Sequence, residues 1–186
     1  MAAIMEALCR DHRNIEHLLR ILERELGVFD RAGRPDYEII GAIVDYFQIY
    51  PDRIHHPKED LVLAKLKDRD PQAAASIGNL EGEHEGMAAR LRRFANVVEL
   101  VLKEQELSRK EFNHIASEFI DHERRHMEME EKHFFPVALE VLTTQDWAEL
   151  DARLTDEADP LFSEDIRQKF KSLRQRITFW EKESQA

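Results

Sequence analysis

Apolar residues recur every three to four positions along four long stretches of this chain, and each stretch is closed by helix breakers. The first runs from about residue 3 to residue 29, with Leu8, His12, Ile15, Leu19, Leu22 and Leu26 on one stripe. Arg31-Ala32-Gly33-Arg34-Pro35 ends it. Asp36 is placed to cap a second helix carrying Ile40, Ile43, Phe47, Tyr50, Ile54, Val62 and Leu66. Pro51 and Pro57 fall inside this stretch, and each removes an amide donor, so a bend or local opening is expected there. Asp68-Arg69-Asp70-Pro71 starts a third helix with Leu80, His84, Met87, Leu91, Phe94, Val98 and Val101. Ser108-Arg109-Lys110-Glu111 is a capping-box pattern that opens the fourth. Its stripe is Phe112, Ile115, Phe119, His122, His126, Met129 and His133, and Pro136 marks its last turn.

Four such stretches with short breaks predict an all-α fold, an antiparallel up-down-up-down four-helix bundle with a short C-terminal helical extension. The bundle is expected over 1–140 and the extension, packed on it, over 141–186. In the extension a short helix starts at Asp146-Trp147, Asp159-Pro160 breaks it, and a helix with Phe170, Leu173 and Ile177 follows. Charged residues make up 35% of the chain against only six Gly and six Pro, which suits helices with solvated outer faces. The net charge is −11 and no basic cluster stands apart, so nucleic-acid binding is not expected. No apolar run approaches the ~20 residues of a membrane span, and Glu6, Arg10 and Asp11 are unlike a secretory signal. Cys9 is the single cysteine, so no intrachain disulfide framework exists and a cytoplasmic location is expected.

Nine histidines are many for this length. His55 precedes Glu59 by four residues, and His126 precedes Glu130 by four. Positions i and i+4 share a helix face, so each pair can address one point in a core. Imidazole suits iron, and a carboxylate can bridge two ions. A lone pair of this kind is usually a surface ion pair; the spacing across the chain makes the difference. In an up-down bundle, residues equidistant from a turn lie at one level. The midpoint between His12 and the first pair is the Arg34-Pro35 turn. The midpoint between that pair and His84 is Asp70-Pro71, and the midpoint between His84 and the second pair lies beside Leu107-Ser108. His12, His55, Glu59, His84, His126 and Glu130 are therefore expected to share one level, roughly 20 Å from one end and roughly 33 Å from the other.

The remaining candidates are graded by phase. His55 and His56 compete, and His55 is favoured because Glu59 follows it by four, although Asp60 follows His56 by four. His122 lies one turn before His126 and reads as a group behind the ligands, with a fifth ligand or a core histidine as alternatives. Glu16, Glu81 and Glu123 lie in phase to accept from ligand N–H groups, and His133 reads the same way or as a helix-end group. His17 and His114 look solvated, and Cys9 reads as a small core residue. Phe47, Phe94, Phe119 and Met129, with Met87, are expected to keep the pocket dry.

The full pattern, His12, His55 with Glu59, His84, and His126 with Glu130, resembles the hemerythrin HHE cation-binding family. The flanks Asp11-His12-Arg13-Asn14-Ile15, His55-His56-Pro57-Lys58-Glu59-Asp60, Glu83-His84-Glu85 and Glu130-Glu131-Lys132-His133-Phe134-Phe135-Pro136 match as well, over roughly residues 5–140. The resemblance implies two Fe ions with terminal His ligands, Glu bridges and an oxo or hydroxo bridge. It implies small ligands such as O2, NO or peroxide. Oxygen-carrying members have an HxxxH pair on the third helix and HxxxxD on the fourth, and this chain has neither. It is thus closer to the bacterial proteins credited with repairing damaged iron–sulfur centres, and iron–sulfur proteins are candidate partners. A ferritin-like oxidase or store is the alternative, since Glu81-x-x-His84 and Glu123-x-x-His126 match its ExxH motif. That fold needs a long crossover and leaves His12 and His55 unused. A metal-dependent regulatory module using the C-terminal 50 residues is a further reading. A bundle without metal would bury several His and Glu uncompensated. The sequence leaves the oligomeric state open, and also whether the protein is a catalyst.

Overall fold

The structure is a computed structural model that describes residues 2–31, 33–154, 159–163 and 167–183. Among these residues the secondary structure is all helical, without strands. The elements are α1 (Ala3–Asp30), α2 (Tyr37–Phe47), a π-helical turn at Pro51–His55, α3 (His56–Arg69), α4 (Pro71–Ile77) and α5 (Leu80–Leu102). Then come α6 (Arg109–Met129), a second π-helical turn at Glu130–Phe134, α7 (Phe135–Val141), α8 (Thr144–Asp151) and α9 (Lys171–Glu183). None of the described helices is long and apolar enough to cross a membrane. Helix α1 packs on α2 and α6, and α5 packs on the same two, so the four long stretches close a ring.

The ends obey local chemistry. Asp36 accepts from Ile39 N–H at 3.2 Å and caps α2, and Ser108 Oγ accepts from Glu111 N–H at 3.1 Å and caps α6. Between α1 and α2, Gly33 donates to the Val28 carbonyl at 2.9 Å, and a Cβ there would meet that oxygen at 2.9 Å. The third stretch is not one helix from Pro71, as the sequence suggested. It breaks at Gly78, whose φ of 92° suits only glycine well, and Asn79 recaps the chain through Gly82 N–H.

The second and fourth stretches open at prolines. A proline ring inside a helix collides with the carbonyl four residues back. Pro57 lies two residues after the first π turn and Pro136 two residues after the second, so each would press on a carbonyl inside the widened turn. The longer π hydrogen bonds, His56 N–H to Pro51 and Phe135 N–H to Glu130, carry the chain past the obstruction. Pro136 thus does not end the fourth stretch, which continues to Val141.

Two apolar clusters fill the interior. One holds Ile15, Leu19, Tyr46, Phe47, Phe94 and Phe119, with Leu161, Phe170, Leu173 and Ile177 from the C-terminal segment. The other holds Ile4, Leu8, Val62, Leu80, Phe134 and Leu150. Each long stretch crosses from one cluster to the other, and the candidate His and Glu residues fall at every crossing: His12, then His55 to Glu59, then His84, then His126 to Glu130. Helix α8 starts at Thr144 rather than Asp146, because Thr143 and Asp146 form a reciprocal capping box. Its Asp151 reaches the start of α1, accepting from Ala3 and Ile4 N–H at 3.0 and 2.9 Å.

Candidate metal centre

The middle of α1 supplies His12, and the junction of the first π turn with α3 supplies His55, His56 and Glu59. Helix α5 supplies His84, α6 supplies His126, and Glu130 opens the second π turn. Their ligand atoms converge. His55 Nε2 lies 3.1 Å from Glu59 Oε1, and His126 Nε2 lies 3.2 Å from Glu130 Oε1. His12 Nε2 lies 3.3 Å from Glu130 and 3.6 Å from Glu59, while His84 Nε2 lies 3.4 Å from Glu59 and 3.9 Å from Glu130. Both carboxylates thus sit among imidazoles from all four stretches. Two groupings have donor atoms within 4.8 Å of one another: His12, His55, Glu59 and Glu130, and His56, Glu59, His84 and His126. Glu59 belongs to both.

Sequence spacing chose between His55 and His56, whereas the structure brings both to the site. His56 is buried and stacks on His84 with ring centroids 4.0 Å apart. His122 is half-buried outside both groupings, and burial with Arg90 and Arg125 disfavours its charged form. His133 and His114 are exposed, and Cys9 packs on an apolar cluster.

The outer ring nitrogens find carboxylates, though not the expected ones. His55 Nδ1 bonds Asp11 at 3.3 Å, His12 Nδ1 bonds Glu131 at 3.0 Å, and His126 Nδ1 bonds Glu83 at 3.1 Å. Asp11 also accepts from Tyr50 OH at 3.0 Å and from Lys58 Nζ at 2.8 Å. Glu16 is instead engaged by Arg20 and Arg124 at 2.8 and 2.9 Å. Glu123 is buried outside both groupings, and the Glu81 side chain lies outside the described residues. The acidic neighbours of the motif residues, Asp11, Glu83 and Glu131, were the available signal, since each sits one residue from a candidate ligand.

Electrostatics without a cation are strained. Burial disfavours the charged form of His12, but Glu130 and Glu59 outweigh it and raise its pKa to about 10. His84 rises to about 10 against the same burial through the same two carboxylates. His55 rises to about 9 through Glu59 and Asp11, again against burial. Burial pushes Glu59 and Glu130 up, yet the surrounding imidazoles hold Glu59 well below the usual range and Glu130 at about 2. Protons on imidazole here take positions that a cation bound to neutral imidazoles and carboxylates would take.

The fit to a metal rests on atoms without partners. The Nε2 atoms of His12, His84 and His126 and both oxygens of Glu59 and of Glu130 are buried with no hydrogen bond. Each unsatisfied buried polar atom costs ~1–3 kcal/mol, and more when charged. Their near neighbours are one another, so a cation among them would meet donors that otherwise pair only as imidazole and carboxylate. The donor set, imidazole with carboxylate and no thiolate, suits iron among the transition metals. Phe135 stacks on His12 with centroids 5.3 Å apart. Phe47, Phe94 and Phe119 form a ring cluster with contacts of 5.1 and 5.2 Å, inside the first apolar cluster. A cavity of about 610 Å³ between α1 and α6 reaches His12, with Arg13, Arg124, Glu131 and Lys132 among its walls.

Comparison with curated proteins and with solved structures finds no match. The family model for the hemerythrin HHE cation binding domain matches residues 3–138, which span every residue of both metal groupings. This chain therefore belongs to the hemerythrin HHE cation-binding family.

Proposed function

We propose that the protein holds two irons between its four long helical stretches and uses them on small molecules. The observation that carries the reading is the convergence of partnerless buried donors from all four stretches on the Glu59–Glu130 pair. His12 and His55 bind one iron, and His56, His84 and His126 bind the other. Glu59 and Glu130 bridge them. His56 thus joins the six ligands read from spacing, and His122 is not a ligand. Two irons so held would supply redox exchange and a place for small ligands such as O2, NO or peroxide. Asp11, Glu131 and Glu83 fix the ring orientation of their histidines and raise their basicity. The apolar clusters exclude water on either side, and the cavity at His12 gives small molecules access on the two-imidazole side.

The same reading makes residues 1–140 an antiparallel up-down-up-down bundle, supported by the alternate crossing of the two apolar clusters, with 141–186 as a helical extension. A reducing cytoplasm suits it, and delivery of iron to damaged iron–sulfur proteins is the neighbouring use of the same site. A ferritin-like centre is disfavoured because Glu123 lies outside both groupings, which use His12 and His55 instead. Metal analysis with optical spectra in air and after dithionite tests the proposal. Two irons per chain and a charge-transfer band bleached by dithionite are expected. Protein purified from iron-replete cells without iron overturns it.

A further inference from the structure

Outside the ligand set, two tyrosines carry hydroxyls into the core. Tyr46 and Tyr50 lie one helical turn apart, at the end of α2 and just beyond it, and both are buried. Their rings stack with centroids 5.3 Å apart and an interplanar angle of 22°. Each hydroxyl donates to a carboxylate: Tyr50 to Asp11 at 3.0 Å, and Tyr46 to Asp159 at 2.9 Å. Asp11 in turn bonds His55 Nδ1 at 3.3 Å, and the far nitrogen of that ring faces Glu59 at 3.1 Å. An unbroken path therefore runs from the metal groupings through His55 and Asp11 to Tyr50, and by ring contact to Tyr46 and Asp159. Asp159 is fixed by accepting from Leu161 and Phe162 N–H at 2.8 and 2.9 Å.

Packing alone does not ask for this arrangement. Phenylalanine fills the same volume, and a buried hydroxyl with a buried carboxylate brings two desolvation costs into an apolar cluster. What tyrosine adds is an oxidisable ring whose proton has somewhere to go when an electron leaves. Each ring here has a carboxylate already in hydrogen-bond contact to receive that proton.

We propose that Tyr50, refilled by Tyr46, is a one-electron donor to the centre during reduction of peroxides. The inference rests on the two-iron reading above. Reducing a peroxide to two waters takes two electrons and two protons, and solvent provides those protons. When the iron pair has a single reducing equivalent to give, Tyr50 supplies the second electron. Its O–H bond breaks, the electron passes toward His55, and the proton crosses to Asp11, leaving a neutral tyrosyl radical. Tyr46 then gives Tyr50 an electron, Asp11 returns the proton to Tyr50, and the Tyr46 proton passes to Asp159. The hole thus moves away from the ligands, which are spared oxidation.

The test uses the iron-loaded full chain, reduced by one electron, mixed with hydrogen peroxide and frozen for electron paramagnetic resonance, with iron measured on the same samples. The expected result is a radical signal that narrows when the protein is grown on ring-deuterated tyrosine. Tyr50→Phe should abolish it while iron is kept, and Tyr46→Phe should leave a signal with the hyperfine pattern of Tyr50 alone, because the hole then has no second ring to reach. Tyr37, the third tyrosine, sits edge-on to Phe112 away from this path, and Tyr37→Phe should leave the signal unchanged. Iron-replete protein that consumes peroxide without a tyrosine radical overturns the inference and leaves the two-iron reading standing, as does an undiminished signal in Tyr50→Phe. Protein that holds no iron overturns both.

Discussion

The two His-x-x-x-Glu segments share a spacing and a neighbouring π turn, yet they are supported in opposite ways. Around His55 the outer acceptor is Asp11, only 1% exposed and held by Tyr50 and Lys58 as well. Around His126 the outer acceptor is Glu83, 45% exposed. The first π turn ends on its histidine, and two successive residues, His55 and His56, reach the centre. The second begins at the glutamate itself, and Met127, which follows His126, joins an apolar cluster instead. Equal motifs thus do not mean equal supports. One segment is built into a buried polar network, and the other leans on a side chain at the surface.

The largest effect comes where the segments are equivalent. Glu59→Ala and Glu130→Ala should each drop iron from two per chain to nearly none, because in the proposed centre each carboxylate is shared by both ions; metal analysis reads this directly. Retention of iron by one of them would mean that a single segment bridges. Next comes the asymmetry of the adjacent histidines. His56→Ala should lose iron from the three-imidazole side and leave about half the metal, while His122→Ala keeps all of it. The reverse outcome would make His122, and not His56, the fifth imidazole ligand.

Acidity should act on both segments. In the metal-free fold, His12 and His84 are raised to about 10 and His55 to about 9, from 6.5. Their stabilising contribution is complete below 6.5 and is lost as pH rises through 9 to 10. Glu130, lowered from 4.5 to about 2, contributes above 4.5 and loses that contribution as pH falls through 2. Metal-free protein is thus favoured by these groups between 4.5 and 6.5. Iron competes with the same protons, so the gain in Tm on iron loading should widen from pH ~6 to pH ~8. A gain that narrows over this range would mean the histidines are not the ligands.

The smallest effect separates the two supports. Asp11→Asn should weaken iron affinity by roughly 10–100-fold, and Glu83→Gln by less than about tenfold, since water can replace an exposed acceptor. Competition with a chelator measures both, and equal losses would mean that the buried and the exposed acceptor support their histidines alike.

The level of the site was legible in the sequence because it follows from contour length, and turns at Gly33-Arg34-Pro35, Asp70 and Ser108 fix that length. His12, Glu59, His84 and Glu130 are brought together accordingly. His56 was not legible as a partner of His55, because neighbouring residues on a regular α-helix point about 100° apart. A π turn that ends at His55 and a two-centre site resolve the conflict, and periodicity reports neither. Glu131, Glu83 and Asp11 were not legible as acceptors because they lie off the ligands' own stripe, where a ring's outer nitrogen points. The break at Gly78-Asn79 was hidden by an apolar stripe beginning only at Leu80.

The π turns also constrain how the chain can change in length. Each is a helix holding one residue more than its turn needs, parked beside a proline. Deleting a residue between Pro51 and His55 would leave a regular helix behind and set the Pro57 ring against the carbonyl four residues back. It would also rotate everything downstream by about 100° and carry Glu59 away from Glu130. Substitutions around the centre are graded in their effects, but insertions and deletions in these two five-residue windows are all-or-none.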